Sequence, residues 1–398
     1  MLVFNKDFTQ QEAIPDKGIE KALEVLRSGR LHRYNLLPGE KGLVCELEEK
    51  FSAYMGTRYC LACASCGSAL FLALKSVGVR PGDKVLCNAY TLAPVPGAIE
   101  HCGARTVLVD ILDDYTIDTD DLAAKAEASG ARFLMLSHMR GHIAHMDKVM
   151  SVCERFGLVL IEDCAHTMGA AWDGRKSGTF GKVACYSTQT YKHMNSGEGG
   201  LLVTSDDEVI ARAIIHSGSY MIYGTHTSRP ALEAFEDVKW VTPNYSLRMD
   251  HLRAAILLPQ LEKLDTQCSR WNELYNHTEN LLQDIPGISC PPRDPREHYV
   301  GSSIQFNIAG VSADVIKKFL AETAARGVQI KWFGNDVPVG FTSSYDSWRY
   351  IPDLPELPNT KKVLATMCDM RLPLTFTIED CDIIVAVIRD VLADILKS

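Results

Sequence analysis

Residues 158–170 read LVLIEDCAHTMGA, and residues 184–204 read ACYSTQTYKHMNSGEGGLLVT. In the first stretch an apolar run ends on Asp163 and gives way to a turn, the pattern of a buried strand whose last residue faces a crevice. In the second, a strand leads into a polar loop carrying Lys192, then a glycine-rich turn and a returning strand. A carboxylate in the position of Asp163 can pair with a cationic ring nitrogen or with a metal. A lysine flanked by Tyr191 and His193, between two buried strands, is not placed like a solvated surface lysine. Bound to an aldehyde as a Schiff base, it would lose most of its cost of burial. Singly, an aspartate or a lysine carries little information. At adjacent strand ends the two make one candidate site.

Short apolar runs continue on either side of this pair. Strands are predicted at 84–87, 105–110, 133–137, 158–162, 183–187 and 201–204, with helices at 69–77, 122–128 and 146–156 between them. Buried strands alternating with helices imply a mostly parallel sheet covered on both faces, which binds ligands at the carboxyl ends of its strands. Upstream, 17–28 and 42–56 show helical spacing and end at Gly29 and Gly56. After Asn244 the pattern changes to a long helical stretch, 249–283, interrupted only by Pro259, and then to a second set of strands and helices. The expected organisation is a large α/β domain with an N-terminal helical segment over 1–245 and a smaller C-terminal α+β domain over 246–398, packed together without a flexible linker.

Composition narrows the function classes. The chain has 398 residues, 46% hydrophobic and 23% charged, with 41 Lys plus Arg against 50 Asp plus Glu, a formal charge of −9. The basic footprint of nucleic-acid binding is missing. No apolar run approaches the roughly 18 residues of a membrane span, and the first residues lack a signal-peptide core. Thirteen cysteines, most inside apolar runs, read as reduced thiols of a cytoplasmic protein. No dinucleotide or nucleoside-triphosphate glycine motif is present.

With these residues in place, the sequence resembles the DegT/StrS-type aminotransferases, fold type I enzymes that use pyridoxal 5′-phosphate (PLP). The resemblance covers about residues 15–395 and rests on IEDCAHTMGAAWDGRKSGTFGKVACYS, the Lys192 loop with SGEGGLLVT, and NYSLRMDHLRAAILLPQLEKLD. Weaker matches are PGDKVLCNAYTLAPVPGAIEHCGARTVLVDI and RLPLTFTIED. It implies the fold of that group, with a mostly parallel central sheet, helices on both faces and a smaller C-terminal domain. It further implies that Lys192 forms the internal aldimine and that Asp163 pairs with the pyridine nitrogen, keeping the ring an electron sink. His166 would lie beside the ring hydroxyl, and Ser187 would contact the cofactor phosphate. Asn244 would reach the phosphate of a neighbouring subunit's cofactor, making a homodimer with shared active sites.

Three features depart from the family pattern. In ASCGSALFLAL (64–74), Cys66 stands where the family has glycine and Gly67 where it has Thr or Ser. Backbone amides at the helix start can still hold phosphate, and Ser68 can supply the hydroxyl. Leu92 stands where an aromatic usually covers the ring, and Tyr90, two residues away on an extended chain, is placed to compensate. Arg140 occupies a position usually apolar or aromatic, where it could clamp a carboxylate. Arg33 and Tyr34 lie where the family contacts substrate across the dimer.

No metal is expected. Cys60, Cys63 and Cys66 lack a fourth cluster ligand. His138, His142 and His145 lack a completing carboxylate. The expected activity is transfer of an amino group from an amino-acid donor, glutamate or glutamine, to a keto group of a sugar nucleotide, cyclitol or related small molecule. The alternatives are another PLP reaction (dehydratase, racemase or lyase) and a non-catalytic sensor or scaffold. An intact Lys192 favours transamination.

Overall fold

The computed structural model describes residues 2–340 and 344–397. The apolar runs of the first half become β1 (Tyr59–Cys63), β2 (Lys84–Asn88), β3 (Arg105–Val109), β4 (Phe133–Ser137) and β5 (Val159–Asp163). Two two-residue strands follow, β6 (Ala171–Trp172) and β7 (Arg175–Lys176), and then β8 (Val183–Ser187) and β9 (Gly200–Thr204). Seven of these form one sheet in the order β1-β9-β8-β5-β4-β2-β3. The pairs β2/β3, β2/β4, β4/β5 and β5/β8 are parallel, whereas β9 is antiparallel to both β8 and β1. Six strands therefore run one way and β9 alone runs back.

The period of two along each strand sends alternate residues to opposite faces. Leu86, Leu134, Leu136, Leu160 and Ala184 pack with Leu47, Phe51 and Leu257 on one side. Val85, Cys87, Phe133, Met135 and Cys185 pack with Leu70, Leu74 and Ile210 on the other. Each layer buries a continuous apolar surface, at roughly 25 cal/mol per Å² removed from water. Helices Asp16–Ser28 and Leu43–Met55 end at Gly29 and Gly56, whose φ values of +68° and +73° favour glycine.

The break in the long helical stretch is not where the sequence places it. Helices His251–Glu262 and Leu264–Gln283 meet at Lys263, and Pro259 lies inside the first of them. Pro259 is buried, in a helix packed on Asp16–Ser28, and a Cβ on Gly18 would stand 3.1 Å from its ring. That packing holds the helix through the one backbone hydrogen bond proline forfeits.

Beyond Gln283 come β10 (Ile288–Ser289), β11 (Glu297–His298), β12 (Ser303–Ile308), β13 (Lys331–Trp332) and β14 (Met367–Arg371). Four of them form an antiparallel sheet, β10-β12-β14-β13. The helices Ala313–Ala325 and Ile378–Lys397 cover it. Besides the packing of His251–Glu262 on Asp16–Ser28, further contacts cross the 245/246 boundary. Phe4 and Phe8 pack into the core of this second sheet, and β11 pairs with β6.

Candidate active site

The parallel strands β1, β2, β4, β5 and β8 all present their carboxyl ends at one edge, and the candidate residues follow those ends. Cys66–Ser68 come after β1, Leu92 after β2 and Arg140 after β4. Asp163 closes β5 with His166 just beyond it, Ser187 closes β8, and the Lys192 loop joins β8 to β9.

Asp163 is buried, and one carboxylate oxygen accepts the Ser137 hydroxyl at 2.7 Å while the other accepts the Ala165 amide at 3.2 Å. Burial raises its pKa against those two donors and the nearby Lys192. Sequence reading missed Ser137. It ends β4, so the parallel register Ser137↔Asp163 brings it alongside, and Thr91 donates to it at 2.8 Å. A small hydroxyl beside a strand-end acid was the available signal.

Lys192 Nζ lies 2.6 Å from His166 Nε2. Burial, with the Arg140 charge adding to it, brings the lysine down to about 7. His166 is held well below its usual range, first by burial and then by Lys192, so it is neutral at pH 7. The neighbouring His193 is buried edge-on against Trp271, and burial takes it down to about 3.

Ser65 caps the helix Cys66–Ser76. Its Oγ accepts the Ser68 amide at 3.0 Å and lies 2.9 Å from the Ser68 hydroxyl. The amides of Cys66 and Gly67 have no acceptor within the helix, which leaves them for an anion. Gly200 makes room for this turn. A Cβ there would stand 2.3 Å from the Ser65 carbonyl oxygen. Burial holds the Cys66 thiol far above its usual pKa, so it stays protonated. Ser187 is buried and accepts the Gln189 amide at 3.3 Å. A half-buried lysine, a buried strand-end carboxylate and an anion cradle at the edge of one sheet fit a cofactor with an aldehyde, a ring nitrogen and a phosphate.

Other expected residues fall elsewhere. Arg33 is corrected by the structure. Its side chain is wholly buried and forks onto Glu48 with two 2.9 Å bonds, while His226 lies 3.1 Å away. A guanidinium sealed inside its own chain cannot reach a substrate in a neighbouring subunit. Tyr34 lies beside this group, its hydroxyl 3.3 Å from His226, and burial pushes that hydroxyl up to about 12. Asn244 is exposed, with its side-chain oxygen accepting the Tyr220 amide. Leu92 packs at the edge of an apolar group with Tyr90, Tyr115 and Phe333. The chain bends after Asn88, and the Tyr90 ring is buried edge-on against Tyr115 and Phe333.

Cys60 and Cys63 face opposite sides of the sheet. His138, His142 and His145 turn to separate partners, Glu162, Gln305 and Arg296. His138, Glu162 and Cys164 do come within 4.8 Å of one another, but Glu162 accepts the amides of Gly178, Phe180 and Gly181 at 2.6–2.9 Å and serves as a structural anchor. Arg140 meets Asp369 of β14 at 2.8 Å. Sequence reading assigned no chemistry to Asp369, Arg371 or Lys331, although Arg371 opens RLPLTFTIED.

The description DegT/DnrJ/EryC1/StrS aminotransferase family matches residues 14–389. The spore coat polysaccharide biosynthesis protein SpsC of Bacillus subtilis is 28% identical over 386 residues, 95% of each chain. The L-glutamine:2-deoxy-scyllo-inosose aminotransferase of Streptoalloteichus tenebrarius is 33% identical over 296 residues, 72% of this chain and 68% of that one. The crystal structure of 3-amino-5-hydroxybenzoic acid synthase superposes with a TM-score of 0.82 at 25% identity, covering 97% of this chain and 99% of that one. Motifs, topology and site geometry thus agree over nearly the whole length, and the chain belongs to the DegT/DnrJ/EryC1/StrS aminotransferase family.

Proposed function

We propose that the protein is a PLP-dependent aminotransferase that takes an amino group from an amino acid, glutamate or glutamine, and delivers it to a keto group of a sugar nucleotide, cyclitol or related small molecule. The observation that carries this reading is Lys192: a half-buried amine brought to about 7, with Nζ 2.6 Å from a neutral His166, beside the strand end that holds Asp163. When bound, PLP supplies the electron sink that makes a proton on the substrate carbon removable.

The chain's own residues supply the rest. Asp163 would hold the ring nitrogen in its protonated form, with Ser137 and the Ala165 amide fixing the carboxylate. The start of helix Cys66–Ser76, with Ser68 and Ser187, would hold the phosphate. His166, neutral at pH 7, would donate or accept a hydrogen bond at the ring hydroxyl. Lys192 Nζ is half unprotonated near pH 7, which suits it both to bond the cofactor aldehyde and to carry a proton in each half-reaction. The relatives named for glutamine-dependent amination of inososes support glutamine as donor.

We assign the enzyme to the cytoplasm as a homodimer. Among the described residues no helix is long and apolar enough to cross a membrane. All thirteen cysteines are unpaired. Asn244 lies near exposed Tyr220, Met221, Trp240 and Val241, an apolar surface that a second copy would cover.

The test is the visible spectrum of the protein with PLP, before and after glutamate or glutamine. The expected result is a cofactor band that is lost on adding donor, with 2-oxo acid released, and neither event in Lys192→Ala. A band that forms in the wild-type protein and ignores both donors would refute the proposed reaction.

A further inference from the structure

Where the four-stranded sheet meets the active edge, three cations surround one acid. Arg140 comes from the turn after β4, Lys331 from β13 and Arg371 from the end of β14; the acid is Asp369 on β14, paired in register with Lys331. Asp369 is buried, and each of its oxygens has a neighbour: Gln305 donates to Oδ1 at 2.8 Å and Arg140 Nη2 lies 2.8 Å from Oδ2. Arg371 lies over the Tyr191 ring at 3.6 Å, one residue from Lys192.

Arg140 is the unusual member. It is 8% exposed, its Nε has no hydrogen-bond acceptor, and its backbone adopts φ +57°, a strained value for a side chain of this size. Such strain persists only where the surroundings enforce it, and here it directs a guanidinium into the site. The like charges act on one another. Burial, with Arg140 and Arg371 adding to it, brings Lys331 down to about 8, and Arg371 is lowered by burial and by Arg140.

Between these groups lies a small cavity of about 20 Å³, lined by Arg140, His166, Tyr191, Arg371, Ser302 and Ser303. That is scarcely more than the room one water needs. A cavity of this size excludes a diphosphate. His166 connects it to Lys192 at 2.6 Å.

Resting on the aminotransferase reading above, we propose that Arg140 and Arg371 form a carboxylate-binding subsite beside Lys192, which takes a carboxylate borne by the amino donor or by the ketone acceptor. Asp369 and Tyr191 hold the two guanidiniums in place while the subsite is empty, and the substrate carboxylate adds the second negative charge.

The experiment titrates the purified protein, with PLP added, by calorimetry using three probes: cyclohexanecarboxylate, the neutral cyclohexanemethanol, and uridine diphosphate. Expected is binding of the carboxylate at least about tenfold tighter than the alcohol, as for a charge-assisted contact. Arg371→Gln should remove that preference. So should Arg140→Gln combined with Asp369→Asn, which avoids stranding a buried acid. Equal binding of carboxylate and alcohol, or an undiminished preference in both variants, would overturn the proposal. So would uridine diphosphate binding that falls in parallel with the carboxylate, because the cavity would then be reading phosphate.

The donor half-reaction separates the two sources. A rise of about tenfold or more in the glutamate concentration for half-maximal rate in Arg371→Gln, with the maximal rate kept, assigns the carboxylate to the donor. A loss confined to cyclohexanecarboxylate assigns it to the acceptor. If the wild-type protein binds the carboxylate but never reacts with glutamate or glutamine, the aminotransferase reading fails while the subsite stands.

Discussion

Replacing Gly200 by alanine tests whether the turn after β1 is an anion cradle set by close backbone approach. Gly200 does not take a positive φ, so alanine meets no conformational penalty and the question is one of space. Its Cβ would stand 2.3 Å from the Ser65 carbonyl oxygen, 2.5 Å from the Ser65 carbonyl carbon and 2.7 Å from the Cys66 amide nitrogen. All three are backbone atoms, so no side chain can rotate away. Restoring even a 3.0 Å contact requires Ser65 and the start of helix Cys66–Ser76 to move by 3.0 − 2.3 Å, at least about 0.7 Å. Overpacking of this kind costs about 1–3 kcal/mol. It falls on the amides proposed to hold phosphate, where about 1.4 kcal/mol is tenfold in affinity. Titration with PLP, followed by visible absorbance, should therefore give a dissociation constant at least about tenfold above wild type, with a lower thermal midpoint. Gly67→Ala is the internal comparison. Only Ser65 Oγ, at 3.8 Å, lies near its Cβ, so its midpoint should not fall. Wild-type PLP affinity in Gly200→Ala would refute the cradle.

Two further outcomes follow from charge. Lys192 is brought to about 7 by burial, and only the unprotonated amine attacks an aldehyde. PLP capture by the cofactor-free protein, followed by stopped-flow absorbance, should fall about tenfold per pH unit below 7 and level off above it; a rate still climbing at pH 9 would show an ordinary lysine. Arg33→Met leaves the buried Glu48 with the Ala62 amide and His226 but without its guanidinium, and should destabilise the fold by about 3–5 kcal/mol in urea unfolding. An unchanged unfolding midpoint would contradict the buried-pair description.

The strands and the two chemical residues were legible because buried parallel strands are written as bounded apolar runs. 133–137 and 183–187 coincide with β4 and β8, and Asp163 ends β5 as its run ends. What stayed hidden depends on non-local packing. Nothing local distinguishes Pro259 as tolerated; the helix Asp16–Ser28, more than two hundred residues away, decides it. Arg33 stands in the sequence as a substrate contact until Glu48 and His226 are brought to it. Ser137 becomes a partner of Asp163 only through strand register. Asp369 and Arg371 lie on β14 of the four-stranded sheet and Arg140 in the turn after β4 of the seven-stranded one, and the chemistry of that cluster exists only where the two meet.

The single reversed strand, β9, has a consequence for readiness. Because it returns beside β8, the twelve residues between them form a hairpin cap and not a crossover through a helix. Backbone bonds Thr188–Gly199, Ser196–Thr188 and Thr190–Gly197 zip its stem toward Lys192. A loop closed by its own neighbours forms with the sheet and requires no ligand to shape it. The ordering entropy of the nucleophile is thereby spent during folding, and a cofactor arriving at the finished protein meets an amine already in position.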